Sequence, residues 1–170
     1  MSGAPVAAGD QARASVFVRV DPAEAFRIFT EEIDLWWRRG LAYRHAGTRR
    51  GIIAIEPGTG GRLFESFDAE DGARVVETGR IIDWSPPSRL VLEWRNANFG
   101  AGEKTEVEVE FVPQRDGTLV TVTHRGWSAI RPDHPARHGQ ETAAFIRSMG
   151  LWWGDLLAAL RQHALRAAAH

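Results

Sequence analysis

Ser15 to Val20 (SVFVRV) alternates, with Val16, Val18 and Val20 on one parity, and predicts a short β-strand. Asp21-Pro22 ends it. Aspartate is a good helix N-cap and proline fits the first helical turn, so a helix starts there. Phe26 and Phe29, three apart within Ala23 to Phe29, give that helix a buried face. Ile33, Trp36 and Trp37 within Glu31 to Arg39 predict a second short helix that stops at Gly40.

From Arg50 to Arg125 the period falls to two. Gly51 to Glu56, Arg62 to Phe67, Ala73 to Trp84, Arg89 to Arg95, Thr105 to Phe111 and Thr118 to Arg125 each read as strands. Gly58-Thr59-Gly60-Gly61, Asp71-Gly72, Ser85-Pro86-Pro87 and Asp116-Gly117 supply the turns, and Gly79 marks a bulge. The clearest strand sets Val107, Val109 and Phe111 against Glu106, Glu108 and Glu110, one face dry and the other wet. Pro132 and Pro135 mark a loop. From Gln140 to Ala168 the period returns to 3.6, with Phe145, Met149, Trp152 or Trp153, Leu156 and Leu160 as an apolar stripe.

Strands in a hairpin series without intervening helices make an antiparallel sheet, so the class is α+β. The long C-terminal helix is the element large enough to cover the sheet's apolar face. Residues 1–13 are expected to be a flexible tail and 14–170 a single domain. The opening MSGAPVAAGD has neither the basic start nor the apolar run of a signal peptide, so a cytoplasmic protein is expected.

Composition narrows the function classes. The chain has 170 residues, 44% of them hydrophobic and 25% charged, with a net charge of −1. That excludes a mainly disordered chain and removes the global basic footprint of a nucleic-acid binder. No apolar run approaches a membrane span. With no cysteine, disulfides and thiolate chemistry are excluded. Lys104 is the sole lysine among 21 basic residues, an arginine bias that suggests a GC-rich bacterial genome. Seven tryptophans in one small domain imply a large core, an aromatic-lined cavity, or both.

Four stretches carry a family resemblance: VDPAEAFRIFT followed by Trp36-Trp37; GGRLFE ending at Glu65; GRIIDWSPPSRLVLEW from Gly79 to Trp94; and TLVTVTHRGW from Thr118 to Trp127 with the later GLWWGDLLAAL. In this order they resemble the START-like superfamily (SRPBCC, the helix-grip fold), in the branch named after the activator of heat-shock protein 90 ATPase. The resemblance covers about Ala14 to Ala164. It implies a curved antiparallel sheet of about six to seven strands wrapped around a long C-terminal helix, two short helices after strand 1, and a cavity between sheet and helix. Such proteins mostly bind apolar small molecules such as lipids or polyketides, and some are enzymes. The co-chaperone activity is not carried over, because the eukaryotic activator uses an additional chaperone-docking domain.

In that fold Trp36, Trp37, Trp94, Trp127, Trp152 and Trp153 converge near one mouth of the cavity. The alternative for any one ring is plain core packing. Trp37, Trp94, Trp127, Phe145 and Trp152 are the candidate walls, and His124, Glu65 and Tyr43 the candidate polar anchors. His124 shares parity with Val120 and Val122 and should point inward, either as an anchor or acid/base or as a structural histidine paired with Glu65 or Glu77. Glu65 shares parity with Leu63 and Phe67, although a bulge would reverse it. Arg38, Arg39, Arg44, Arg49 and Arg50 form a basic cluster, read as a solvated loop, an anion-attracting rim, or a partner for the Glu106-Glu108-Glu110 ladder of a second chain.

Other chemistry has little support. His134 and His138, with Asp133 and His124, lack any known metal-binding spacing, so no metal is assigned. There is no GxSxG, and GTGG lacks the Lys and Ser/Thr of a phosphate loop. No cofactor is expected. The leading expectation is a module that binds an apolar or aromatic ligand, with a possible homodimer, no nucleic acid and no membrane span. The alternatives are a cyclase, dehydratase or hydrolase using His124, and a partner protein in stress or regulatory pathways.

Overall fold

The computed structural model describes residues 11–95, 102–127 and 142–168. The first strand, β1, spans Gln11–Val18. It begins inside the stretch expected to be tail, because Gln11 to Arg13 pair with Arg125 to Thr123. Helix α1 (Pro22–Glu31) starts as the Asp-Pro signal requires: the Asp21 carboxylate accepts the backbone N–H of Glu24 at 2.8 Å, and Pro22 occupies the first turn. Helix α2 is shorter than expected, Ile33–Trp36. Trp37 already has extended backbone, and its indole N–H donates to the Tyr43 carbonyl at 3.0 Å.

Six further strands follow: β2 (Gly51–Ile55), β3 (Arg62–Ala69), β4 (Gly72–Ser85), β5 (Arg89–Trp94), β6 (Thr105–Gln114) and β7 (Gly117–Arg125). They form one antiparallel sheet in the order β1-β7-β6-β5-β4-β3-β2. The final helix, α3, runs Thr142–Ala168 and packs against β1, α1 and α2. The curled sheet around a long C-terminal helix is the helix-grip arrangement.

Alternation does what hydrophobicity demands on β6. Val107, Val109 and Phe111 are buried to the last few per cent, while Glu106 and Glu108 lie on the outer face. Arg125 clamps both carboxylates at 2.7 Å and Arg89 reaches Glu108 at 2.8 Å. Two of the three glutamates are thus neutralised within the chain. On α3 the stripe resolves to Phe145, Trp153, Leu156, Leu157 and Leu160, so Trp153 and not Trp152 is the core ring.

Helix α3 is also tied to the α1–α2 junction by charge. His163 Nε2 lies 2.7 Å from a Glu32 carboxylate oxygen, and Arg27 sits 2.7 Å from the other. The His163 contact first, and Arg27 after it, hold the Glu32 pKa below its ordinary 4.5. A depressed carboxylate pKa stabilises the fold above the ordinary value, and that contribution is lost as pH falls through the folded value. Glu32→Gln is therefore expected to flatten the loss of stability below pH 4.5 while costing about 1 kcal/mol at neutral pH. Urea titrations at stepped pH check this. An unchanged acid limb would remove Glu32 from the account.

Candidate functional site

The site begins in the loop between α2 and β2. Gly40 and Gly47 bracket it with positive φ angles of 105° and 63°. Between them Arg44 turns inward, its side chain 1% exposed. Nη1 donates to Asp34 Oδ1 at 2.7 Å. Nη2 donates to the Trp37 carbonyl at 2.7 Å and the Asp34 carbonyl at 3.1 Å, and Nε to the Arg38 carbonyl at 3.2 Å. Asp34 Oδ1 also accepts the Ile53 N–H at 2.9 Å, which joins α2, the loop and β2. From the other side the Trp152 indole donates to the Ala42 carbonyl at 2.7 Å, and the Tyr43 hydroxyl donates to Asp155 at 3.2 Å.

This loop forms one wall of a cavity of about 500 Å³. Strands β2 to β5 and helix α3 complete it. Its apolar surface comes from Trp37, Leu41, Tyr43, Ile53, Leu63, Trp94, Phe145, Met149 and Trp152. The rings brace one another: Trp37 stacks on Trp94 with centroids 6.4 Å apart, Tyr43 stacks on Trp152 at 5.8 Å, and Trp37 meets Trp152 edge-on at 5.9 Å. The indole N–H groups of Trp37 and Trp152 are held by loop carbonyls, so these two rings turn their faces and not their donors to the cavity.

A compact polar patch lies on the same wall. Glu65 points inward with Leu63 and Phe67, and its side chain is 3% exposed. Its oxygens accept the backbone N–H groups of His45 at 2.8 Å and Ala46 at 3.3 Å. His45 Nε2 stands 3.9 Å from the carboxylate and 3.2 Å from Thr78 Oγ1. Thr78 owes its aim to a bulge. Leu63 pairs with Gly79 and Phe64 with Glu77, leaving Thr78 as the extra residue. Gly79 is required beside it, since a Cβ there would sit 2.8 Å from the Glu93 carbonyl.

The cavity gathers six of the eight residues expected at the site: Trp37, Tyr43, Glu65, Trp94, Phe145 and Trp152. Tyr43 contributes its ring, while its hydroxyl is engaged by Asp155. His124 and Trp127 do not line the cavity. Both are fully buried, with ring centroids 4.6 Å apart. His124 pairs with neither Glu65 nor Glu77. Its Nδ1 accepts the Trp153 indole N–H at 3.1 Å and its Nε2 lies 2.7 Å from Thr105 Oγ1. Glu77 instead sits on the outer face with Arg80. The β7 parity correctly turned His124 inward, but inward at that level of the sheet is core.

The basic cluster also divides. Arg44 is buried inside the loop, Arg38 donates to the Asp155 carbonyl at 2.9 Å, Arg39 pairs with Asp34 at 3.6 Å, and Arg49 and Arg50 are exposed. Asp133, His134 and His138 lie outside the described residues. Among those described, no group of three His, Asp or Glu is placed to hold a metal ion.

His45 and Thr78 were not singled out in the sequence. Their arrangement differs from a nucleophile triad. There the hydroxyl and the carboxylate engage opposite ring nitrogens, whereas here both stand nearest to Nε2. The patch suits hydrogen bonding to a bound molecule better than activation of Thr78.

Similarity searches agree with this architecture. A protein from Nitrosomonas europaea superposes with a TM-score of 0.64 at 15% identity, over 97% of this chain and 100% of its own. The Aha1 dimer from Colwellia psychrerythraea gives 0.56 at 15% identity, over 89% and 92%. DynU16, from the dynemicin biosynthetic locus, gives 0.60 at 18% identity, over 91% of this chain and 46% of its own. No sequence among curated proteins matches. No helix among the described residues is long and apolar enough to cross a membrane. The family model for Activator of Hsp90 ATPase homolog 1-like protein matches residues 19–162, and the chain belongs to that family, within the START/SRPBCC superfamily.

Proposed function

We propose that the chain is a small-molecule binding protein that holds an apolar or aromatic ligand, lipid or polyketide-like, in the cavity between sheet and α3. The observation that carries this reading is the cavity itself: about 500 Å³, within the range of small-ligand sites, walled by indole faces and carrying a polar patch at Glu65, His45 and Thr78. A biosynthetic locus is also where DynU16 belongs, and small-molecule chemistry is the business of such a locus. The reading takes the protein to be cytoplasmic. The dimeric relative from Colwellia makes a homodimer part of the proposal, and sedimentation measures it directly.

The test is a thermal-shift screen over lipids, flat aromatics and polyketide-like compounds, followed by tryptophan fluorescence. A ligand confined to the native state adds about 2.7 kcal/mol at a hundredfold excess over Kd. Stabilisation by one chemical class, with quenching, is the expected result. Trp152→Ala is expected to weaken that binding at least tenfold, because Trp152 is a half-buried wall ring and not part of the main core. A flat response across the panel would sink the reading.

A further inference from the structure

We propose that the ligand carries a protonated amine, which Glu65 receives as its counter-ion while the tryptophan faces take the apolar body. The proposal rests on the cavity being a ligand site and adds the ligand's charge.

Among the described residues, Glu65 has no permanent cation of its own. Its partners are the backbone N–H groups of His45 and Ala46 and the His45 ring at 3.9 Å. Arg44 lines the same cavity, but Asp34 and three carbonyls occupy its guanidinium. Arg38 points to the Asp155 carbonyl. A carboxylate withdrawn from water needs hydrogen bonds and a countercharge. The two backbone donors give one bond to each oxygen and leave acceptor capacity on both. A ligand ammonium meets that demand with a charge-assisted bond.

The walls favour the same species. Indole and phenol faces are electron-rich and attract cations within about 6 Å of the ring centre. Trp37, Tyr43, Trp94 and Trp152 surround the space that Glu65 faces. An anionic head would meet the Glu65 charge with Arg44 already engaged, so an acid of the same shape should be rejected.

The experiment uses matched probes on the full chain: 2-(1-naphthyl)ethylamine, 2-(1-naphthyl)ethanol and 1-naphthylacetate, titrated by tryptophan fluorescence and calorimetry. The expected result is at least tenfold tighter binding of the amine than of the alcohol, with the acetate weakest. Glu65→Gln, checked for folding by circular dichroism, should erase the amine's advantage over the alcohol. The comparison within the native protein stands even where that variant does not fold. Equal affinity for amine and alcohol would overturn the charge assignment and leave the pocket reading intact. Preference for the acetate would overturn it outright. Failure of all three probes, together with the wider panel, would remove the cavity as a ligand site and this inference with it.

Discussion

Replacing Arg44 with alanine is expected to destabilise the fold by about 3–5 kcal/mol and to abolish binding in the cavity, a larger effect than any wall substitution. The guanidinium is 1% exposed and serves four acceptors: Asp34 Oδ1 and the carbonyls of Asp34, Trp37 and Arg38. Alanine removes the donors and leaves the acceptors in place. Asp34 then keeps only the Ile53 N–H on that oxygen, with Arg39 at 3.6 Å from the other. The carbonyls of Trp37 and Arg38 are where the chain leaves helix α2, so the loop that presents Tyr43 and His45 loses its internal support. Arg44→Lys keeps the charge but not the planar fork and should recover only part of the loss. Pairing Arg44→Ala with Asp34→Ala gives the decisive cycle. Because the two residues share one network, the double variant should be more stable than the summed single losses imply, by about 1–3 kcal/mol. Chemical denaturation measures all of these. A cost of less than about 0.5 kcal/mol for Arg44→Ala would show that the loop stands without it.

Arg44 also marks the boundary of what the sequence discloses. Period-two alternation on β6 and the Asp-Pro start of α1 are local signals, and each produced its element within a few residues. The inward parity of Glu65 with Leu63 and Phe67 was readable only on condition that no bulge fell on its strand, and the bulge falls on β4 instead. Residues 38–50 have no period. Five arginines in that stretch look alike along the chain, and only the fold decides that one is buried and four are exposed. His45 reaches the cavity because Gly40 and Gly47 fold the loop back, and Thr78 because one bulge shifts β4 by a residue. Gly79 signalled the bulge in the sequence, but not which neighbouring side chain it would turn inward. The Trp152–Trp153 pair shows the limit from another side. Adjacent helical residues lie about 100° apart, so one belongs to the core and the other to the wall. A stripe drawn through Phe145, Met149 and Leu156 does not separate them.

His124 should make the protein less stable as pH falls from 7.5 to 5, by about 2 kcal/mol from this one group. Its environment fixes the tautomer. Trp153 donates an indole N–H to Nδ1, so Nδ1 carries no proton and Nε2 does. Nε2–H then donates to Thr105 Oγ1, whose own proton goes to the Trp94 carbonyl at 3.3 Å. Protonating Nδ1 would set two N–H groups against each other in a site with no access to water. Burial pushes the pKa from 6.5 down to about 3. The unfolded chain binds a proton near pH 6.5 and the folded chain does not. Stability therefore falls with pH across the interval between those values, at up to about 1.4 kcal/mol per unit. A nitrogen-edited NMR titration should find the neutral Nε2–H form of His124 unchanged from pH 7.5 to 5. His124→Gln should lower stability at pH 7.5 and shrink its dependence on pH. An imidazole titrating near 6.5 would contradict the sealed geometry and return His124 to the acid–base candidates. A neutral ring whose nitrogens both face protein groups has no proton to exchange with a ligand, which leaves polar chemistry in the cavity to groups that line it, Glu65, His45 and Thr78 among them.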